Sequence, residues 1–298
     1  MKLKLVAPII ISLLLTLATI ATAASCGGGT PANSDKLGVA VTLLPFADFV
    51  ENIGGDRVEV TVMVPPGASP HSYEPTPSQM VALSKAEAYF KVGSGIEFEL
   101  TWMDNLIAQN PDMSIVDCSD GIALLEGGDE HEGDDHGGTD PHIWNSPANV
   151  KIIAVNILDG LIAADPENED YYQTNAEAYL DEMDDLDAYI SSALDGFENR
   201  RFLIYHPSFG YFAGAYGLEQ IAIEQEGKEP TPQTIQSSID LAEQYNLDYV
   251  FVEPQFTAQY AETIADAIGG ETALIDPLPE RYIDNMRSVV DAIALELE

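Results

Sequence analysis

Cysteine is almost missing from this chain. Cys26 and Cys118 are the only two in 298 residues, so no disulfide framework is available and the fold must stand on its hydrophobic core. Positive charge is scarce as well: 12 lysines and arginines face 50 aspartates and glutamates, a formal net charge of −38. Such a surface excludes nucleic acid as a partner, because phosphate binding requires a basic face. It also argues against lying flat on anionic lipid. The excess of acid serves solubility, salt tolerance or the attraction of cations. No HExxH, G-x-S-x-G or phosphate-loop pattern occurs, which removes the commonest hydrolase and nucleotide-binding signatures. Histidine is rare too, at five residues, and the position of each one is therefore informative.

What is present begins with Lys2 and Lys4, followed by an uncharged apolar run from Leu5 to about Ala24 and then Ala23-Ala24-Ser25-Cys26. A basic start, an apolar core and a small-residue exit make a secretory signal. The run is also nearly long enough to span a bilayer uncleaved, and the cysteine decides between the two. Ala-Ala-Ser-Cys resembles the bacterial lipobox, with Ala23 where leucine is commonest; the resemblance implies lipidation of Cys26. An ordinary signal followed by a coincidental cysteine is the alternative. Gly27 to Ser34 reads as a flexible tether. Removing the signal leaves 10 basic against 50 acidic residues, a net charge of −40.

From Leu37 onward, short apolar runs alternate with helical segments, which predicts parallel sheets flanked by helices, an α/β class. Between Pro65 and Pro77 five prolines fall within thirteen residues, a stiff loop that can be neither helix nor ladder. Asp165-Pro166-Glu167 opens a helix with Asp as N-cap and proline in the first turn. Tyr172, Ala176, Tyr179, Met183, Leu186, Ile190 and Leu194 then recur at intervals of three and four, a single apolar stripe over about thirty residues. A lone amphipathic helix of that length between two βα segments reads as a spine joining two lobes. A coiled-coil dimerisation helix is the alternative. The expected organisation is a signal peptide (1–25), a lipidated cysteine and tether (26–35), an N-terminal α/β lobe (36–164), a linking helix (165–197) and a C-terminal α/β lobe (198–298).

The stretch Glu126 to Trp144 holds His131, His136 and His142 among seven carboxylates. The first two sit in flexible acidic sequence, and the third closes the run in a stiffer Asp-Pro-His-Ile-Trp. His71, His142 and His206 each lie in or just beyond a loop that follows a predicted strand, as does Asp276. Ligands of open α/β sheets bind at such strand ends. Each of the four has proline beside it (Pro70, Pro141, Pro207, Pro277), and a pre-set backbone lowers the entropy of presenting a ligand. Three imidazoles and a carboxylate suit zinc, whereas more carboxylate and fewer imidazoles suit manganese or magnesium. Glu253, at a strand end, is expected to orient an imidazole from behind, or else to be solvated or salt-bridged. Tyr73 and Trp144 either wall the cleft or serve as plain packing.

Gly-Ala-Ser-Pro-His71-Ser-Tyr-Glu-Pro-Thr-Pro, Asp-Pro-His142-Ile-Trp-Asn-Ser-Pro, Tyr-His206-Pro-Ser-Phe-Gly-Tyr-Phe and Leu-Ile-Asp276-Pro-Leu resemble the successive metal-ligand motifs of the zinc/manganese substrate-binding lipoproteins of ABC transporters. The resemblance runs from Leu37 nearly to the C-terminus and includes the long linking helix. It implies two α/β lobes joined by a rigid helix, with one metal ion in the interlobe cleft held by His71, His142, His206 and Asp276. It further implies transport rather than enzymatic work, an ABC permease and its ATPase as partners, a monomer, and a lipid anchor at the outer face of the cell membrane or a periplasmic location. Manganese members often carry glutamate at the third position; His206 there points to zinc, with Mn²⁺ as the alternative cargo. An acidic His-rich loop is common in zinc members, and His131 and His136 make a thin version of it, a possible secondary metal loop. An exported zinc hydrolase with water in the fourth position and a metal-stabilised adhesin are the readings from other classes.

Overall fold

The computed structural model describes residues 36–126, 138–224 and 228–297. The signal segment, Cys26, the tether, and His131 and His136 lie outside the described residues.

Strands β1 (Leu37–Val41), β2 (Val58–Val62), β3 (Ala88–Lys91) and β4 (Ser114–Asp117) form one parallel sheet in the order β2-β1-β3-β4. Strands β5 (Arg201–Ile204), β6 (Glu219–Ala222), β7 (Tyr249–Val252) and β8 (Glu271–Leu274) form a second, in the order β6-β5-β7-β8. The two orders are the same permutation, so the halves share a topology without sharing sequence. The inner strands β1, β3, β5 and β7 are buried nearly throughout, as expected where helices cover both faces of a parallel sheet.

Helices α1 (Leu44–Gly54), α2 (Pro77–Leu83), α3 (Glu97–Gln109) and α4 (Pro147–Ala164) accompany the first sheet. Helix α4 is long and apolar enough to cross a membrane by composition alone. Here it packs on β3, β4 and α1, and Gly160 lets it come so close that a Cβ would meet Phe90 and Val116 at 2.6 and 2.7 Å. Helices α6 (Gly210–Tyr216), α7 (Pro232–Tyr245), α8 (Gln259–Ile268) and α9 (Tyr282–Leu297) belong to the second half.

Between the halves runs α5 (Glu169–Ala193), 25 residues or about 38 Å. All seven residues of its apolar stripe are buried. The regular helix is shorter than the expected segment 165–197, because Pro166–Asn168 forms a 3-10 turn. Asp165 is not a side-chain N-cap: its carboxylate instead accepts hydrogen bonds from Asn168 Nδ2 at 2.6 Å and Tyr172 OH at 2.8 Å. Along α5 the two halves share one continuous core, in which Phe46 and Phe49 of α1 meet Trp144, Tyr179 and Tyr282. Polar ties cross the same boundary, from Trp144 Nε1 to the Pro277 carbonyl (2.6 Å), Asn145 Nδ2 to the Ser208 carbonyl (2.8 Å) and Tyr282 N–H to Asp48 Oδ2 (3.1 Å). A boundary of this kind resists wide hinge motion.

Candidate metal centre

Each histidine stands on a locally determined support. His71 sits in the proline-rich loop after β2, where Gly67 adopts φ +76° behind Pro66 and the Ala68 N–H returns to the Pro65 carbonyl. That is the turn expected of a Pro-Gly pair. The loop ends in a capping box formed by Thr76 and Gln79, and Gln79 Nε2 also donates to the carbonyls of Val62 and Met63 at the end of β2. His142 begins the 3-10 turn Ile143–Asn145 that leads into α4. His206 lies two residues beyond β5, an inner strand of its sheet, flanked by β6 and β7.

These three segments converge. One ligand atom from each of His71, His142 and His206 lies within 4.8 Å of the others, and their ring centroids are 4.9 to 5.7 Å apart. The Nε2 atoms of His142 and His206 are 3.2 Å apart, close to the roughly 3.3 Å edge of a tetrahedron with Zn–N bonds near 2.0–2.1 Å. Pro70, Trp144, Phe256, Pro277 and Leu278 wall the same cavity. Its free volume for the centre of a water-sized sphere is ≈ 10 Å³, about the room a single water or ion needs.

Behind every ring stands a carboxylate. Glu97 Oε2 lies 2.6 Å from His71 Nδ1, Asp140 Oδ1 lies 2.8 Å from His142 Nδ1, and Glu224 Oε2 bonds His206 Nδ1. A carboxylate accepts, so each Nδ1 carries the hydrogen and each Nε2 keeps its lone pair. Two such lone pairs facing each other at 3.2 Å repel unless a cation lies between them. Burial lowers the His206 pKa to about 4, against its hydrogen bond to Glu224, and the other two histidines push it the same way as burial. The ring is therefore neutral at pH 7 and ready to bind metal. For Glu97, burial works upward, but the hydrogen bond and charge of His71 hold the carboxyl below its ordinary value. The His71–Glu97 pair is also the open edge of the site, with side chains 26% and 51% exposed, against 10% and 5% for His206–Glu224.

Not every expected residue arrives at the rings. Asp276 does not belong to the group of mutually close donor atoms; its Oδ1 accepts from Gln255 Nε2 at 3.1 Å and from the Leu278 N–H at 2.9 Å. Glu253 touches the backbone of His206 and not its imidazole: it accepts the His206 N–H at 3.3 Å and the Ser208 hydroxyl at 3.1 Å. Burial pushes its carboxyl up to about 8, with the charge of Glu224 acting in the same direction. Glu224 takes the orienting role instead, because parallel register sets β6 against β5 at an offset of eighteen residues (Ile204 opposite Ala222), which carries on to His206 and Glu224. Trp144 walls the cavity, whereas Tyr73 packs on Phe98 and hydrogen-bonds Gln79. Glu97 and Glu224 carry no local sequence signal; for Asp140 the available signal is its place two residues before His142.

A two-lobed α/β chain whose described residues include an imidazole-lined, ion-sized cavity between the lobes has the construction of a divalent-metal-binding protein. Residues 39–295 match the family described as zinc-uptake complex component A, periplasmic, and the chain belongs to that family. Its members are metal-binding transport proteins, not enzymes. The chain is 32% identical over 285 residues to the manganese-binding lipoprotein MntA of Halalkalibacterium halodurans, covering 90% of this chain and 92% of that one. It is 28% identical over 294 residues to the high-affinity zinc uptake system protein ZnuA of Bacillus subtilis, covering 91% and 92%. A crystal structure of ZnuA superimposes with a TM-score of 0.83 at 40% identity, covering 89% of this chain and all of that one (100%).

Proposed function

We propose that this protein is the extracytoplasmic substrate-binding component of an ABC metal transporter, capturing Zn²⁺ and delivering it to a permease driven by an ATPase. The observation that carries the reading is the convergence of His71, His142 and His206 with all three Nδ1 atoms tied to carboxylates. Such carboxylate–histidine pairs fix the tautomer and raise the basicity of the ligating nitrogen. Three neutral imidazoles favour zinc among the biologically available ions. The 32% identity to a protein named for manganese binding keeps Mn²⁺ as the second reading.

The chain would be exported by residues 1–25, held at the outer face of the membrane by a lipid on Cys26, and act as a monomer. The lobes would span 36–164 and 198–298 on either side of the linking helix 165–197. The ion enters at the exposed His71–Glu97 edge, since the other two pairs are enclosed. His131 and His136 would hold a second ion weakly and raise its local concentration. Deleting 127–138 without losing any weakly bound zinc would remove that role. The main test is competitive titration of apo protein with Zn²⁺ and Mn²⁺, repeated on His206→Glu. Zinc should win on the wild type and lose ground on the variant. A wild type that prefers manganese in buffered competition overturns the zinc assignment.

A further inference from the structure

The carboxylate behind His142 belongs to the N-terminal lobe, yet the other lobe presses it into place. Asp140 Oδ1 accepts both the backbone N–H of His142 at 2.9 Å and its Nδ1–H at 2.8 Å. The rest of the residue meets the start of α6, in the C-terminal lobe. Asp140 Oδ2 lies 2.4 Å from where a Cβ on Gly210 would stand, so a glycine is what leaves room for the carboxylate. One residue on, the Tyr211 hydroxyl donates to the Asp140 carbonyl at 2.9 Å and accepts the Leu125 N–H at 3.0 Å. Both of these partners are N-terminal-lobe residues, and Tyr211 is buried. The start of α6 is itself fixed, because Gln220 Oε1 on β6 accepts the Phe209 N–H at 2.8 Å. The pairs His71–Glu97 and His206–Glu224 each lie within one lobe. The His142 pair is braced across the boundary.

We propose that Gly210 and Tyr211 are positioning residues for the cargo ion, acting through Asp140 on His142, and that they make the grip of an N-terminal-lobe ligand conditional on closed lobes. This rests on the three-histidine reading given above and deepens it. With the lobes packed, Asp140 has little freedom, and the ion meets an imidazole already oriented. A ligand set beforehand loses less entropy on binding. When a permease parts the lobes, the α6 contacts are stripped from Asp140. Two ties inside the N-terminal lobe remain: the Ser94 hydroxyl on the Pro141 carbonyl, and the Asp140 N–H on the Leu125 carbonyl. His142 then stays with its lobe but loses its fixed orientation, and the ion is handed on without unfolding of either lobe.

The test uses Zn²⁺ in chelator competition on the apo full-length chain, with the dissociation rate read by stopped flow. Gly210→Ala sets a methyl group against the far end of a flexible side chain, so Asp140 swings aside while α6 gains helix propensity. Zinc affinity should fall about tenfold with faster dissociation, and the apo melting temperature should hold or rise. Tyr211→Phe keeps the ring and removes the hydroxyl, and should cost about three- to tenfold in affinity. Asp140→Ala should cost about ten- to a hundredfold. Adding Gly210→Ala to it should cost nothing further, because no carboxylate remains to be displaced. Should the Gly210 variant fold poorly, Tyr211→Phe takes its place in the same cycle with Asp140→Ala. The proposal is overturned if either single variant binds and releases zinc as wild type does, or if the costs in the cycle add. In those cases His142→Ala would still lose the ion, so the three-histidine reading would survive. A His142→Ala that keeps wild-type affinity removes both readings.

Discussion

Glu224 shows how much a single unremarkable acid can carry. It is 4% exposed, bonds the ring of His206 and lies at the end of a strand whose register brings it there. Replacing it by Gln should cost about ten- to a hundredfold in zinc affinity with little change in the fold, as read by chelator competition and circular dichroism. Glu97→Gln should cost less, because that pair is half open to water, which already competes for both partners. A second acid offers a test far from the metal. Glu296, on α9, accepts the backbone N–H groups of Asp248 and Tyr249 at 3.3 and 2.6 Å. Burial pushes its carboxyl up to about 7, with the charge of Asp248 adding to the rise and the two N–H groups opposing it. Its folded pKa lies above the unfolded value of 4.5, so the folded chain binds the extra proton between these values. Stability is therefore favoured below pH 4.5 and is lost as pH rises toward 7. Glu296→Gln should flatten that part of the melting-temperature profile.

At the level of elements, the packing of α4 and α6 makes opposite demands on glycine. Gly160 sits where a methyl group would strike Phe90 and Val116, so Gly160→Ala should lower stability by about 1–3 kcal/mol through overpacking. Gly214, inside α6, has nothing within 4 Å of the place a Cβ would occupy; Gly214→Ala should stabilise by roughly 0.5–1 kcal/mol through helix propensity. Urea denaturation of the pair measures both signs. Most elements could be read directly from the chain, because parallel strands buried on both faces leave continuous apolar runs such as Leu-Gly-Val-Ala-Val, and α5 leaves a stripe of seven buried residues. The start of α5 departs from the pattern of its sequence for a physical reason. Asp165 fits an N-cap by type and position, but Tyr172 and Asn168 both donate to its carboxylate, and the first turn tightens to 3-10.

For the whole molecule, the decisive fact is that the larger of two core clusters runs through both lobes and the linking helix, while the smaller lies within the C-terminal lobe. Apo protein should therefore unfold in a single cooperative transition, with calorimetric and van't Hoff enthalpies in agreement. Met183→Ala on α5 should lower the stability of that one transition by about 2–5 kcal/mol instead of uncoupling the lobes. Zinc at a hundred times its dissociation constant should add about 2.7 kcal/mol to the same transition, and a chelator should return the protein to its apo melting temperature without unfolding it. Two resolved transitions would contradict the shared core. Melting on chelation would favour a purely structural metal.

The alternation of strands and helices, the spine, and three histidines at proline-braced strand ends were determined by the sequence alone, because hydrophobic period and turn chemistry are local properties. Only the tertiary structure decided which acid backs which ring. His71 meets Glu97 across 26 residues and His206 meets Glu224 across 18, separations set by strand register and by the length of the intervening helices. The same long-range packing kept Asp276 out of the imidazole cluster. Burial and the pairing of distant donors with acceptors are properties of the folded whole, so no window of sequence could display them.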